Sequence, residues 1–390
     1  MAHTHSLLKR QALGLLLAAV WGLVFAASQS AQAQTETVLY SFSGGSDGSY
    51  PLGVIFDNSG NLYGTSSGGG NGYGTVFEFT AAGEFINLHA FNFTDGSTPN
   101  AGLMRHRGSL YGTTKQGGAY GEGTVFELVY KRTKNIYSYQ VLYNFTGGTD
   151  GGQPATAVVF DSSGNLFGTT SAGGTYSSGT IFEIPWNATS KQFGSEQVLH
   201  SFDNENGAQD GYNPVSLVVD RYGNLYGANN AGGPLGVGAV FEYPKVGGYH
   251  ALFFFDDPLG GYPSGNLLLL PSSRTTWLYG GTAQSLYRIS LTTGDVFMTY
   301  IYGSVVTGVT RRSSGFYMVA GEGGAGGYGL IDTEADWGAP TDVLYSFTGQ
   351  ANGDGAYPIG PVVKDKSGNI YGATLYGGTS GYGTIFKIAP

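Results

Sequence analysis

The sequence contains no cysteine, which excludes disulfides, thiolate metal sites, a cysteine nucleophile and a lipid-modified N-terminal cysteine. Charge is scarce as well. Only 12% of residues are Asp, Glu, Lys or Arg, and the formal balance is −9. That composition offers no basic footprint for nucleic acid or for an anionic membrane surface. No 3.6-residue apolar period of useful length occurs, which removes helical solenoids. Glycine, by contrast, is abundant at 68 of 390 residues, with no Gly-X-Y period that would indicate collagen. Hydrophobic residues at 41% and aromatics at 14% supply the apolar surface that disordered chains lack.

Residues 1–33 read as a secretory leader. Lys9 and Arg10 form the basic start, residues 12–27 are an apolar run, and Ala31-Gln32-Ala33 supplies the small residues of a cleavage site before Gln34. The run is shorter than the ~20 residues needed to cross a bilayer, and no later segment is long and apolar enough to do so. The expectation is therefore an exported protein (extracellular, cell-surface or periplasmic) with no membrane span once the leader is removed.

The rest of the chain is built from repeats. Asn-Leu-Tyr-Gly-Thr at 61–65 recurs at 109–113, 165–169, 224–228 and 369–373, with weaker copies at 277–281 and 315–319. The marker aromatics are Tyr63, Tyr111, Phe167, Tyr226, Tyr279, Tyr317 and Tyr371. Their average spacing matches the ~40–50 residues of a four-stranded propeller blade. Each unit holds four short apolar runs, a to d, separated by Gly, Asp, Asn and Ser; in the first unit these are 52–57, 61–65, 75–80 and 85–91. Near-continuous apolar runs suit strands buried on both faces.

The two ends decide the architecture. The chain stops after a c run at 384–388, while residues 38–42 form a spare d run that closely matches 343–347. A closed ring follows if the first strand completes the last blade, because closure leaves few exposed edges. The sequence thus predicts an all-β fold, with residues 34–390 forming a single seven-bladed β-propeller of four antiparallel strands per blade.

The motif Tyr-Gly-Thr-Thr/Ser-x-x-Gly-Gly…Gly-Thr-Val/Ile-Phe-Glu, at 63–78, 111–127 and 167–183, resembles the GloVer-type tandem repeat of exported bacterial proteins. The a–b segment at 54–63 is also similar to NHL-type propeller repeats. The resemblance covers most of residues 37–390 and is specific in five of the seven units. It implies a propeller and an exported surface or secreted protein; it supplies no catalytic residue. Members often carry a C-terminal anchoring segment, and none is read in this chain before Pro390.

Strand parity puts the b–c and d–a loops on one face and the a–b and c–d loops on the other. The d–a loops carry Asp-Gly-x-x-Pro, which nominates Asp47, Asp95, Asp150, Asp210 and Asp354 as a rim of carboxylates around the channel mouth. Such a rim suits Ca²⁺, a cationic ligand or sugar hydroxyls. The same residues are also what a turn requires: Asp bonding its own backbone two residues on, Gly at φ > 0 and Pro leading into strand a. No loop has the spacing of an EF-hand Ca²⁺ site, and the Gly-rich loop at 68–72 lacks the Lys-Ser/Thr of a phosphate loop. His89 and His200 occupy a position that is Tyr40, Tyr143 and Tyr345 in sister units, which reads as a packing or hydrogen-bonding ring. Units five and six are degenerate and gather Asp256, Asp257, Arg274, Arg288, Arg311 and Arg312. Lys131, Arg132 and Lys134 read as a basic c–d insertion.

No catalytic constellation emerges, and the leading reading is a non-catalytic binding or scaffold module for an extracellular ligand, glycan or protein. A channel-centred hydrolase or lyase acting on sugars or lactones, metal-dependent or not, would need carboxylates or histidines on the a strands. Those runs are almost wholly apolar. A structural matrix component is the third reading.

Overall fold

The computed structural model describes residues 36–389, apart from 132, 134–135, 204–209, 257–259, 301–303, 336 and 338–340. The leader read at 1–33, together with Arg132, Lys134 and Asp257, lies outside the described residues.

Seven antiparallel sheets follow one another, each running a-b-c-d from the axis outward. In the first blade the strands are Ser49–Phe56, Leu62–Gly68, Thr75–Phe79 and Phe85–Ala90. The third blade departs from the pattern. Its inner strand is broken into Gly152–Pro154 and Val159–Phe160, where the sequence reads one continuous run, and a small hairpin, Trp186–Asn187 with Gln192–Phe193, is inserted before strand d. The ring closes as expected: Glu36–Ser41 pairs antiparallel with Thr384–Ile388, with Glu36 opposite Ile388 and Ser41 opposite Thr384.

Two sequence devices build most of the blades. The first is the glycine of Tyr-Gly-Thr. Gly64 lies directly opposite Phe77 in the ladder, and a Cβ on Gly64 would stand 2.4 Å from the Phe77 ring. The same relation holds for Gly112 with Phe126, Gly168 with Phe182, Gly227 with Phe241 and Gly372 with Phe386. One strand gives up its side chain so that its neighbour can lay a ring across it, and all five phenylalanines are buried.

The second device stitches blade to blade. At five seams the glycine before the c strand meets the proline that opens the next blade: a Cβ on Gly383 would stand 2.5 Å from Pro51 Cδ, and one on Gly74 2.7 Å from Pro99 Cδ. The carbonyls of these two glycines also accept the N–H groups of Phe42 and Phe91 at the ends of the d strands, at 3.0 and 3.1 Å. Seven apolar seams result, each between neighbouring blades. The closing seam joins Phe42 and Ile385 of blade 7 to Val54, Leu62 and Phe77 of blade 1. Burying a ring such as Phe42 is worth about 1.5–3 kcal/mol, so the out-of-order strand is held by its side chains as well as by its ladder.

Candidate functional site

The inner strands of all seven blades line an axial cavity of about 370 Å³. Its polar groups are neutral, among them Asn100, Thr156, Ser216, Asn266 and Thr307, and none of the lining residues is ionisable. Several are already engaged: Asn266 Nδ2 donates to Val309 O at 3.1 Å, and Ser216 Oγ accepts from Leu267 N at 2.8 Å. The apolar reading of the a strands holds, and the axis presents neither a general acid or base nor an ion pair.

The five rim aspartates all lie on the Gly-rich-loop face, each placed against the outermost strand of the preceding blade rather than around the channel mouth. Asp47 accepts from Tyr40 Oη at 3.0 Å and Ser43 N at 2.7 Å. Asp150 accepts from Tyr143 Oη at 2.9 Å and Thr146 N at 2.9 Å. Asp354 accepts from Tyr345 Oη at 3.0 Å and Thr348 N at 2.7 Å. Asp95 and Asp210 stand 3.1 and 2.9 Å from Nε2 of His89 and His200. Sequence reasoning had each Asp bonding backbone two residues ahead. These carboxylates instead reach back, because the d-strand Tyr or His offers a part-buried donor that outcompetes an exposed turn. The shared d-strand position of His89, His200, Tyr40, Tyr143 and Tyr345 is thereby explained. Burial holds His89 below the usual histidine range, with Asp95 opposing. No three His, Asp or Glu side chains come together in a way that could hold a metal ion among the described residues.

The forward-reaching aspartates are those of the a–b turns on the opposite face. Asp57 Oδ1 accepts from Ser59 N and Asn61 N at 2.8 and 2.9 Å, and Asp161, Asp220 and Asp365 repeat the arrangement. Beside them the b-strand tyrosine donates to the c-strand glutamate: Tyr63 to Glu78 at 3.0 Å, Tyr111 to Glu127 at 2.8 Å and Tyr226 to Glu242 at 3.0 Å. Burial, with Asp57 and Glu84 nearby, lifts the Glu78 carboxyl above the ordinary range, against the stabilising Tyr63 bond.

Back on the Gly-rich-loop face, the residue before each blade-opening proline takes a left-handed backbone: Tyr50, Thr98, Gln153, Asn213, Tyr262 and Tyr357, with φ between 52° and 59°. Their N–H groups bond across blades, for example Tyr50 to Tyr382 O at 2.9 Å and Tyr357 to Tyr328 O at 2.7 Å. A non-glycine residue there costs about 1–2 kcal/mol, yet three of the six are tyrosine. Those rings join others from the b–c loops. Tyr328, Tyr357, Tyr376, Tyr50 and Tyr382 form a continuous chain over blades 6, 7 and 1, with centroids 6.4, 5.7, 5.3 and 6.0 Å apart. All but Tyr50 are counted among the exposed large residues, as are Tyr73, Phe93, Tyr120, Tyr176 and Tyr262 on the same face. Sequence reasoning missed this aromatic crown. The signal available was the recurrence of tyrosine in Asp-Gly-x-x-Pro, where a turn favours Gly or Asn.

Three of the four arginines of the degenerate blades are spent on rings. Arg288 stands 4.5 Å from the Trp277 ring and 4.9 Å from those of Phe297 and Trp337, while Arg311 and Arg312 lie over Phe316 and Tyr317.

A search of curated proteins gives no match. Two solved extracellular domains from B. thetaiotaomicron, one assigned to a hybrid two component system and one to a one component system, superpose with TM-scores of 0.60 and 0.57. Each is 11% identical, and the alignments cover 90% and 91% of this chain. This chain spans about two fifths of their length, 39% and 40%, and the likeness is one of fold. The model of the Gloeobacter/Verrucomicrobia repeat matches residues 17–209 and 128–315. With well over half of its length so matched, the chain belongs to the Gloeobacter/Verrucomicrobia repeat family.

Proposed function

We propose that the protein is an exported, non-catalytic binding module that engages an extracellular glycan or protein through its Gly-rich-loop face. The observation that carries the reading is the crown of contacting tyrosines, all solvent-exposed but the half-buried Tyr50, with Tyr50 and Tyr357 held at strained left-handed positions. Thr98, Gln153 and Asn213 fill the same position in other blades, so the backbone does not demand a ring. Tyrosine offers a large, stiff, amphipathic contact at low entropic cost, which is why it recurs in recognition surfaces. The unionised axial cavity supports a role other than acid–base catalysis. Export rests on the leader at 1–33.

The test is retention of the purified mature protein on a panel of insoluble polysaccharides and extracellular matrix proteins. Replacing Tyr357 and Tyr376 together by Ala should weaken retention at least tenfold while leaving the melting temperature within a few degrees. Undiminished retention, or retention by no member of the panel, rejects the reading.

A further inference from the structure

A second site lies on the opposite face. Between blades 1 and 2 a cleft of about 690 Å³ is lined by Asp57, Asn61, Tyr63, Glu78 and Glu84 on one side and by Arg105, Tyr130 and Tyr137 on the other.

Comparison of the repeats shows what is unusual here. In blade 2, Glu127 takes Tyr111 Oη on one oxygen and Gln140 Nε2 on the other, both at 2.8 Å. In blade 4, Glu242 takes Tyr226 Oη on one oxygen, and His250 Nε2 stands 3.0 Å from the other. Gln140 and His250 are the residues directly across the ladder from their glutamates. Across from Glu78 stands Ile86, which has nothing to donate. Tyr63 satisfies one Glu78 oxygen; the second accepts no hydrogen bond among the described residues. Arg105, on the far wall, has a buried Nε with no partner among the described residues. The cleft therefore presents a carboxylate oxygen with no protein partner and, on the far wall, a buried guanidinium Nε with none among the described residues, and a buried donor left unpaired costs about 1–3 kcal/mol. At the next seam Phe160 and Phe193 pack against the buried cluster.

We propose that this cleft binds a neutral or amine-bearing saccharide unit of one or two rings. Vicinal hydroxyls both donate and accept, so one sugar edge satisfies Glu78 and Arg105 together. The Tyr137 ring, 5.8 Å from Tyr63 and edge-on to it, supplies a wall for the apolar face of the sugar. Three carboxylates against one guanidinium disfavour a uronic acid. The site is independent of the tyrosine crown and stands or falls separately from it.

The experiment is calorimetric titration of the mature protein with cellobiose, maltose, diacetylchitobiose, glucosamine and glucuronate. Saturable binding of at least one of the first four, with none for glucuronate, is expected. Ile86→Gln rebuilds the arrangement of blade 2 and should weaken that binding tenfold or more without lowering the melting temperature; Arg105→Met should do the same through the other wall. The crown variant Tyr357→Ala should leave it unchanged. Absence of saturable binding, binding of glucuronate, or affinity indifferent to both cleft variants overturns the proposal. If binding vanishes with Tyr357→Ala and survives Ile86→Gln, the sugar sits on the crown: the cleft is then rejected and the loop-face reading stands.

Discussion

Blades 1 and 6 share a register and differ in almost every residue that makes the register work. In blade 1 Gly64 faces Phe77, and Ser66 faces Thr75 with their hydroxyls 2.7 Å apart. In blade 6 the corresponding pairs are Met318 with Asp332 and Ala320 with Leu330. The large and small partners of the first pair have changed places, and the hydroxyl pair has become apolar. The ladder is unaltered because the seam needs one large side chain per facing pair, whichever strand provides it. What does change is chemistry. Asp332 puts a carboxyl where five blades have a phenylalanine; it is 6% exposed, and Oδ1 is buried without a partner among the described residues. Burial, with Asp342 adding to it, pushes its pKa up to about 6.

The strongest way to break this comparison is at the ring itself. Phe77→Ala should cost about 3–5 kcal/mol, as truncation of buried rings does, read by denaturant unfolding. A much smaller loss would mean that the seam tolerates a cavity and that the exchange in blade 6 carries no information.

The exchange is tested next. Met318→Gly and Asp332→Phe should each destabilise, one by leaving a void and the other by overfilling. Together they restore the pattern of blade 1, and the double variant should recover at least about 1 kcal/mol of the summed loss, within the range of coupling between touching residues. Strict additivity would show that the two positions do not share one volume.

The smallest effect is electrostatic. Asp332 binds its proton more tightly folded than unfolded, so its contribution is complete below about pH 4 and is lost as pH rises through about 6. Asp332→Asn should flatten the stability profile across that window by up to about 3 kcal/mol. Glu36 and Glu196, pushed up by burial to about 8 and about 7, have the same sign at higher pH, so the slope above pH 6 should survive in Asp332→Asn. A profile unchanged by the substitution would place the Asp332 carboxyl in water.

Much of the fold is legible in the repeats. Residues 38–42 could be recognised as a displaced d strand because they copy 343–347, and the pairing of Glu36–Ser41 with Thr384–Ile388 follows. The four strands of each blade and the apolar inner strands were likewise readable, since local apolar runs and turn residues report local structure. The candidate sites were less so. Asp47 and Asp57 look alike in sequence, each opening a Gly-containing turn, yet one reaches back to Tyr40 and the other forward to Ser59 and Asn61. The difference lies in whether a part-buried donor stands behind the turn, and no single repeat displays that. Glu78 matches the glutamates of its sister blades within the motif; only the residue across the ladder, eight positions further on, distinguishes it.

The sequence by itself determined the strand content and the closure and pointed to seven blades, because those depend on periodicity and on copies of one unit matching each other; the structure fixed the count where units five and six are degenerate. Only the tertiary structure decided which side chains share a surface. The tyrosines of three blades meet at the Gly-rich-loop face, and the walls of the blade 1–2 cleft come from segments tens of residues apart. Their proximity is set by blade-to-blade packing, which places residues by volume and hydrogen-bond reach rather than by order along the chain.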